Sequence, residues 1–302
     1  MDIKKEMIDA MKARKKDEFN LWQDYKYNGL DIGRIRSMIG YRGLDLVEGV
    51  SEEKLNILGV NAYKYFVNET SRYVVFNIHG GGFYGGSVEV MQYCNRYLAK
   101  KGDFHVYAID YTLAPKSKFP DTMFEIYRVI QEISKMYPNS KFILTGDSAG
   151  AHLAMNVALL DNSMFSYIFL YYPVISLLPQ KNFKIDELNL DEDAMYAKAH
   201  IQMLYQSTKL MQKLYLKEDY DINSKFFNLL NIPFYEFEKL PKIFIAKAQF
   251  DYFNLDIDEF SKKFKVEVIE YSGVSHGFLE FLGYVEEAKN LLYLTIEKIK
   301  GV

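Results

Sequence analysis

The sequence predicts an α/β fold: a mostly parallel central sheet flanked by helices, with a helical cap. Three observations carry that expectation. From residue 61 onward, short runs rich in β-branched and aromatic residues alternate with longer runs of helical spacing, the pattern of repeated strand-helix units. One stretch, residues 176–235, breaks the alternation with no strand signal. The chain's 302 residues, 49% hydrophobic and 25% charged, supply ample material for one buried core with an added lobe.

Taken in order, residues 1–50 read as an N-terminal helical cap segment. Ile3, Met7, Ile8 and Met11 recur at three-to-four spacing, and Phe19, Leu21, Trp22 and Tyr25 extend the apolar face. The basic cluster Lys12, Arg14, Lys15 and Lys16 has Asp17 and Glu18 beside it and reads as a solvated helix face. Residues 51–175 form the first part of the core, with strand runs YKYFV, RYVVFNI, HVYAIDY, KFILTG and SYIFLYYPV. Helices fit residues 87–101, 120–136 and 149–160 between and after them. Residues 176–235 form a helical cap insertion, rich in Met, Tyr, Leu and Ala from Glu192 to Lys217 and bounded by Pro173, Pro179, Pro233 and Pro241. Residues 236–302 return to the core with strands KIFIAKAQ and KVEVIEY and helices at 255–264 and 278–299.

Composition narrows the function. Thirty-seven Lys+Arg against 40 Asp+Glu give a net charge of -3, so no positive field draws the chain to nucleic acid. The lone Cys94 cannot form an internal disulfide, and the charged N-terminus lacks a secretory h-region, so a cytoplasmic location is expected. The longest apolar stretch, Met164 to Leu178, is broken by Ser166, Pro173 and Ser176 and is too short to span a membrane. A small-molecule partner is the expectation that remains.

The strongest local signal is KFILTGDSAGAHLAMNVALL, a strand run, then Gly146-Asp147-Ser148-Ala149-Gly150, then a helix-forming run. This is the G-x-S-x-G nucleophile elbow, in which a strained strand-to-helix turn exposes the serine hydroxyl. The residues two positions to either side must be small because chain and helix crowd there. The Ala149 N–H, at the helix start, can point at a developing oxyanion. A second signal, His79-Gly80-Gly81-Gly82-Phe83, follows the strand RYVVFNI and can present further backbone N–H groups. A histidine followed by three glycines arises by chance in only about one in a thousand chains of this composition. A P-loop is excluded, since no G-x-x-x-x-G-K-[ST] occurs.

The serine needs a base, and there are five histidines: His79, His105, His152, His200 and His276. His79 heads the glycine loop, His105 lies in a strand run, His152 sits one helical turn past Ser148 and His200 falls in the insertion. His276, after the last strand, fits the order Ser, acid, His. The acid belongs between them at a strand's C-terminal end, where Asp251 closes KIFIAKAQFD. Asp256, Asp258 and Glu259 follow on a helix, with Asp256 the main alternative.

On HGGGF, GDSAG, DYTLAPKSKFP, Asp251 and HGF, in that order, residues 60–300 resemble the α/β-hydrolase superfamily, and within it the hormone-sensitive-lipase-like esterase/lipase branch. The resemblance implies an α/β-hydrolase fold and a serine carboxylic-ester hydrolase. It makes Ser148 the nucleophile, Asp251 the acid, His276 the base, and Gly81, Gly82 and Ala149 the oxyanion donors. His79, Gly80, Gly146, Asp147 and Gly150 would support them. No metal or organic cofactor is called for, and the expected partner is a small or medium acyl ester. Members of the family often dimerise, which makes the edge strand KVEVIEY a candidate homodimer interface. The chain departs from the family in Thr112 and Lys116, where Arg and Glu are usual, and in Tyr252-Phe253, where Pro-Leu is common. The run GAHL after the serine also resembles arylformamidases, so an amidase using the same triad is the alternative, and a hydrolase-like small-molecule binding protein a more distant one.

Overall fold

The computed structural model describes residues 2–13, 25–178, 180, 183, 185, 190, 194–217, 220, 221 and 223–301. In chain order it contains α1 (Lys5–Ala13), a small hairpin of β1 (Lys26–Tyr27) and β2 (Leu30–Asp31), α2 (Ile32–Ser37), then β3 (Ser51–Ile57), β4 (Val60–Phe66) and β5 (Tyr73–Ile78). Next come α3 (Gln92–Gly102), β6 (His105–Asp110), α4 (Asp121–Ser134), β7 (Lys141–Asp147), α5 (Ala149–Leu160) and β8 (Phe165–Tyr171). The remainder is α6 (Met195–Tyr215), α7 (Phe234–Phe237), β9 (Lys242–Phe250), α8 (Asn254–Phe264), β10 (Glu267–Ser275) and α9 (Glu286–Lys300).

Among the described residues eight strands form one sheet in the order β3-β4-β6-β5-β7-β8-β9-β10. The β3/β4 and β4/β6 pairs are antiparallel, and every neighbour from β6 to β10 is parallel. The central strands are apolar on both faces because helices cover both: Val74, Val75, Phe76 and Ile78 of β5 are all buried, as are Ile168, Phe169 and Leu170 of β8. Helix α5 is buried on all sides over Ala149–Ala158, and its Ala-rich sequence lets it lie close against the sheet. Helix α4 is amphipathic instead, burying Ile126, Val129, Ile130 and Ile133. Among the described residues no helix is long and apolar enough to cross a membrane.

All seven strand runs read from the sequence are strands, and β10, which contains most of KVEVIEY, is an edge. The structure adds β3. Its sequence SEEKLNI is exposed along most of its length, so it lacks the apolar signature of a buried strand and is held by its antiparallel register with β4.

The N-terminal segment is helical only in part. Ile3, Met7 and Ile8 are buried as their spacing predicts, whereas Phe19, Leu21 and Trp22 lie outside the described residues. Residues 38–50 are not helical because their backbone bonds elsewhere: Tyr41 N–H donates to Glu280 Oε2 (2.8 Å) and Leu44 N–H to the Leu282 carbonyl (2.7 Å). The last predicted helix also starts late. Residues 278–281 form a single 3₁₀ turn, Gly283 takes a left-handed conformation with φ +87°, and α9 begins at Glu286.

Among the described residues of 176–235 the longest element is α6, and the two ends of that stretch meet. Ser176 bridges Asn228, Leu177 N–H donates to the Phe227 carbonyl (3.2 Å), and Leu229 N–H donates to the Ile175 carbonyl (3.0 Å). The chain thus leaves β8 and returns toward β9 through one short stem.

Candidate active site

The sheet brings four loops together at one edge. Strands β5, β7, β9 and β10 are parallel, and each ends immediately before residues singled out in the sequence: His79, Ser148, Asp251 and His276. Side chains that are distant in sequence therefore converge at the carboxyl ends of the strands, where open α/β sheets hold their ligands.

Ser148 sits between β7 and α5 with φ 52° and ψ −120°, a conformation that costs a non-glycine residue on the order of 1–3 kcal/mol. The turn is held by Ser148 N–H donating to the Tyr171 carbonyl (2.9 Å) and by the Ser148 carbonyl accepting from Val174 N–H (3.2 Å). Crowding explains the flanking glycines. A Cβ on Gly150 would run into the carbonyl oxygens of Ile78 and His79, and one on Gly146 into the backbone of Gly150 and Ala151.

The imidazole of His276 bridges the other two groups. Its Nε2 lies 2.7 Å from Ser148 Oγ and its Nδ1 2.7 Å from Asp251 Oδ2. The second Asp251 oxygen accepts from Phe253 N–H at 3.0 Å, so the departure Tyr252-Phe253 leaves the acid's backbone contact in place. The Asp251 side chain is completely buried. The rings of Tyr172 and Phe253 stand 5.0 and 5.3 Å from that of His276. Of the alternative acids, Asp256 sits on α8 and Asp258 pairs with Lys247 at 2.6 Å.

The glycine loop abuts the serine: a Cβ on Gly80 would lie 3.1 Å from that of Ser148. Gly81 has φ +109° and would clash with Gly85 if it bore a side chain, so this tight turn accepts only glycine. Ala149 is the first residue of α5, where a backbone N–H has no acceptor within the helix. His79 holds the loop from within. Its Nδ1 lies 2.8 Å from the Gly80 carbonyl, its ring stacks on Tyr111 at 4.3 Å, and Tyr111 Oη–H donates to the His79 carbonyl at 2.9 Å. Burial lowers the pKa of this imidazole, which keeps it a neutral structural group.

Asp147 ties loop to elbow by accepting from Gly80 N–H at 2.9 Å. Burial pushes its carboxyl up to about 6, partly opposed by that hydrogen bond. The folded state therefore binds the proton more tightly than the unfolded chain. Stability contributed by this group is fullest below the unfolded value of 3.8 and is lost as pH rises through about 6. Asp147→Asn keeps an acceptor for Gly80 and removes the buried charge. Relative to wild type it is expected to gain up to ~3 kcal/mol on going from pH 3.5 to pH 7.5, the equivalent of about two pKa units. Urea unfolding at the two pH values checks this, and a pH-independent difference would refute it.

The other histidines take structural places. His152 has Nδ1 2.9 Å from the Val174 carbonyl and Nε2 2.9 Å from the Phe226 carbonyl, and burial lowers its pKa. A neutral ring donates to only one of the two, so its part is to join α5 to the segments beside the serine. His105 contacts Tyr137 Oη and the Asn68 carbonyl. His200 lies on α6, and burial lowers its pKa to about 4.

One support gave no sequence signal. Arg36 is buried, and its guanidinium donates to the carbonyls of Tyr84 (2.6 Å) and Ala114 (2.9 Å). It clamps the glycine loop to the DYTLAP segment, which Ala114 N–H also joins to the Phe83 carbonyl at 2.9 Å. Both acceptors are main-chain atoms, so no side-chain pattern announces them. Thr112, one of the departures from the family, is satisfied locally: its N–H and Oγ1 donate to Glu125 at 2.9 and 2.7 Å. Among the described residues no group of three or more His, Cys, Asp or Glu is placed to hold a metal ion.

Comparison with known proteins agrees with this architecture. A family model described as alpha/beta hydrolase fold matches residues 75–280, well over half of the chain. Among solved structures, one from a study of two fungal esterases from Rhizomucor miehei superposes with a TM-score of 0.76 at 20% identity, covering 100% of this chain and 98% of that one. Carboxyl esterase 2 of the mycorrhizal fungus Tuber melanosporum gives 0.71 at 20% identity, with coverage of 87% and 90%. A hyperthermophilic esterase from the archaeon Pyrobaculum calidifontis gives 0.70 at 23% identity, with coverage of 85% and 87%. At these identities the likeness to the solved structures is one of fold. With the family match and the glycine loop and elbow it spans, the chain belongs to the alpha/beta hydrolase fold family.

Proposed function

We propose that this protein is a serine carboxylic-ester hydrolase acting on small or medium acyl esters. The observation that carries the reading is the unbroken hydrogen-bonded line from Asp251 through His276 to Ser148, 2.7 Å at each step, ending on a strained serine. In this reading Asp251 fixes the imidazole with its proton on Nδ1, leaving the Nε2 lone pair for the Ser148 hydroxyl. Ser148 Oγ attacks the ester carbonyl as its proton passes to His276. The N–H groups of Gly81, Gly82 and Ala149 hold the negative oxygen, in a loop already braced by Asp147, His79 and Arg36 and so needing little rearrangement as charge develops. His276 then returns the proton to the departing alcohol, and water releases the acyl group by the same steps in reverse order of roles.

The preference for an uncharged acyl group rests on the cap side. Phe83 stacks on Tyr215 of α6 at 4.2 Å, and Phe183, Tyr205 and Tyr252 form a ring cluster with centroids 4.8 to 5.6 Å apart. An apolar cap side of this kind favours apolar substrate over a hydrated ion. The test is hydrolysis of 4-nitrophenyl esters from acetyl to palmitoyl, beside matched anilides. The expected result is activity peaking at short or medium chains, with esters well ahead of anilides. Faster cleavage of anilides or formamides would replace the ester reading with an amidase.

A further inference from the structure

Ser148 and Asp251 hold the imidazole of His276 at its two nitrogens, which leaves open what holds it from the sides. A histidine ring turns about a soft χ2 torsion, so contacts at the nitrogens alone do not fix its plane. The contact at Nε2 is also the one that has to change in the proposed mechanism. Ser148 Oγ moves onto the ester carbonyl, and the proton has then to reach the leaving oxygen. Only 9% of the His276 side chain is exposed, so other groups cover the ring.

Two of them are aromatic and come from separate elements. Tyr172 follows β8, and its ring stands 5.0 Å from the imidazole at an interplanar angle of 63°. Phe253 precedes α8, and its ring stands 5.3 Å away at 51°. Both residues are fully buried. Each meets a further ring, Tyr172 that of Phe278 at 5.4 Å and Phe253 that of Tyr252 at 5.1 Å. The backbone supplies an independent observation at Tyr172. Its φ of 38° lies in the left-handed region, an outlier for so bulky a residue, and Tyr172 N–H donates to the Ala246 carbonyl at 2.6 Å. Strain of this kind persists only where the surrounding structure imposes it, and it concentrates at functional sites. Here the strained residue is one whose ring lies against the imidazole.

The carbons of an aromatic ring do not compete for either imidazole nitrogen, yet they pack closely and keep water out. With water excluded the bond from Nδ1 to Asp251 is stronger, and the imidazole keeps its plane while the partner of Nε2 changes. We propose that Tyr172 and Phe253 are positioning residues for His276, their rings holding the imidazole in the line between Asp251 and Ser148. This rests on the reading of His276 as the base for Ser148.

The test uses two rates. One is hydrolysis of 4-nitrophenyl butyrate. The other is inactivation by diethyl 4-nitrophenyl phosphate, in which Ser148 Oγ bonds to phosphorus, 4-nitrophenolate leaves and the serine proton passes to His276. The second rate needs no ester preference, so it decides the matter even for a wild type that prefers another acyl substrate. Tyr172→Leu and Phe253→Ala are expected to lower kcat and the inactivation rate ~10- to 100-fold, the scale of a misplaced catalytic group. KM should move by no more than about threefold, since proton transfer is what is disturbed. Tyr172→Phe should keep wild-type rates, and Phe253→Leu should recover part of the loss in Phe253→Ala. Phe104→Leu cuts a buried ring just before β6, at the opposite end of the parallel strands, and should keep wild-type kcat. Each variant is assayed below its melting temperature, and where one does not fold, the pair at the other position decides. The proposal is overturned by wild-type rates in Tyr172→Leu or Phe253→Ala, by a rise in KM in place of the fall in kcat, by a loss in Tyr172→Phe equal to that in Tyr172→Leu, or by an equal loss in Phe104→Leu. Inactivation that proceeds unchanged in His276→Ala overturns the reading of His276 as the base, and this proposal with it.

Discussion

Replacing Ser148 with alanine is expected to lower kcat/KM on every ester the wild type accepts by at least ~10⁴-fold. The loss is that large because in the proposed mechanism the hydroxyl is the atom that forms the covalent bond, and no other side chain of the same loop can take its place: Asp147 is engaged with Gly80 and Ala149 has no nucleophile. Folding should be little affected. The variant loses one side-chain hydrogen bond, to His276, worth on the order of 1 kcal/mol, and the elbow keeps its backbone bonds to Tyr171 and Val174. Adding His276→Ala to Ser148→Ala should bring no comparable second loss, because in that mechanism nucleophile and base act as one unit. Stopped-flow and steady-state hydrolysis, with a thermal melt of each variant, provide the measurement. More than a tenth of wild-type activity remaining in Ser148→Ala would remove the serine mechanism.

The reason this site could be read so far from sequence is that each of its parts is local. A nucleophile elbow compresses strand, turn and helix into a few residues, and its glycines are dictated by contacts within the elbow and with the adjacent loop. The same holds for the central strands, whose burial on both faces writes itself as uninterrupted apolar runs. What escaped detection depends on distant partners. β3 is a charged edge whose only strand determinant is its pairing with β4. The helix expected from 278 starts at Glu286 because the backbone around Leu282 is engaged by the N-terminal strap at Leu44 and Gly283 turns the chain. Arg36 serves the site through two main-chain carbonyls, 48 and 78 residues away in sequence.

Asp251→Asn separates the two tasks proposed for this carboxylate, orienting the imidazole and fixing its proton. Asparagine is nearly isosteric, so the Oδ1 contact to Phe253 N–H can persist and the loop after β9 should hold its shape. The amide nitrogen then occupies the place of Oδ2, 2.7 Å from His276 Nδ1. A donor at that point favours the tautomer with an unprotonated Nδ1 and places the proton on Nε2, facing the serine hydroxyl. Nε2 can no longer accept the proton of Ser148, and the imidazolium that would form during attack loses its buried counter-charge. The expected fall in kcat is ~10⁴-fold, with KM changed far less, since the substitution alters proton transfer and leaves the walls of the pocket as they are. Asp256→Asn, on α8, should stay within a few-fold of wild type. Reversed magnitudes for the two variants would transfer the acid's role to Asp256. A loss under tenfold in Asp251→Asn would mean that the His276 tautomer is set by something other than this carboxylate, and the Ser148–His276 pair would then act as a dyad.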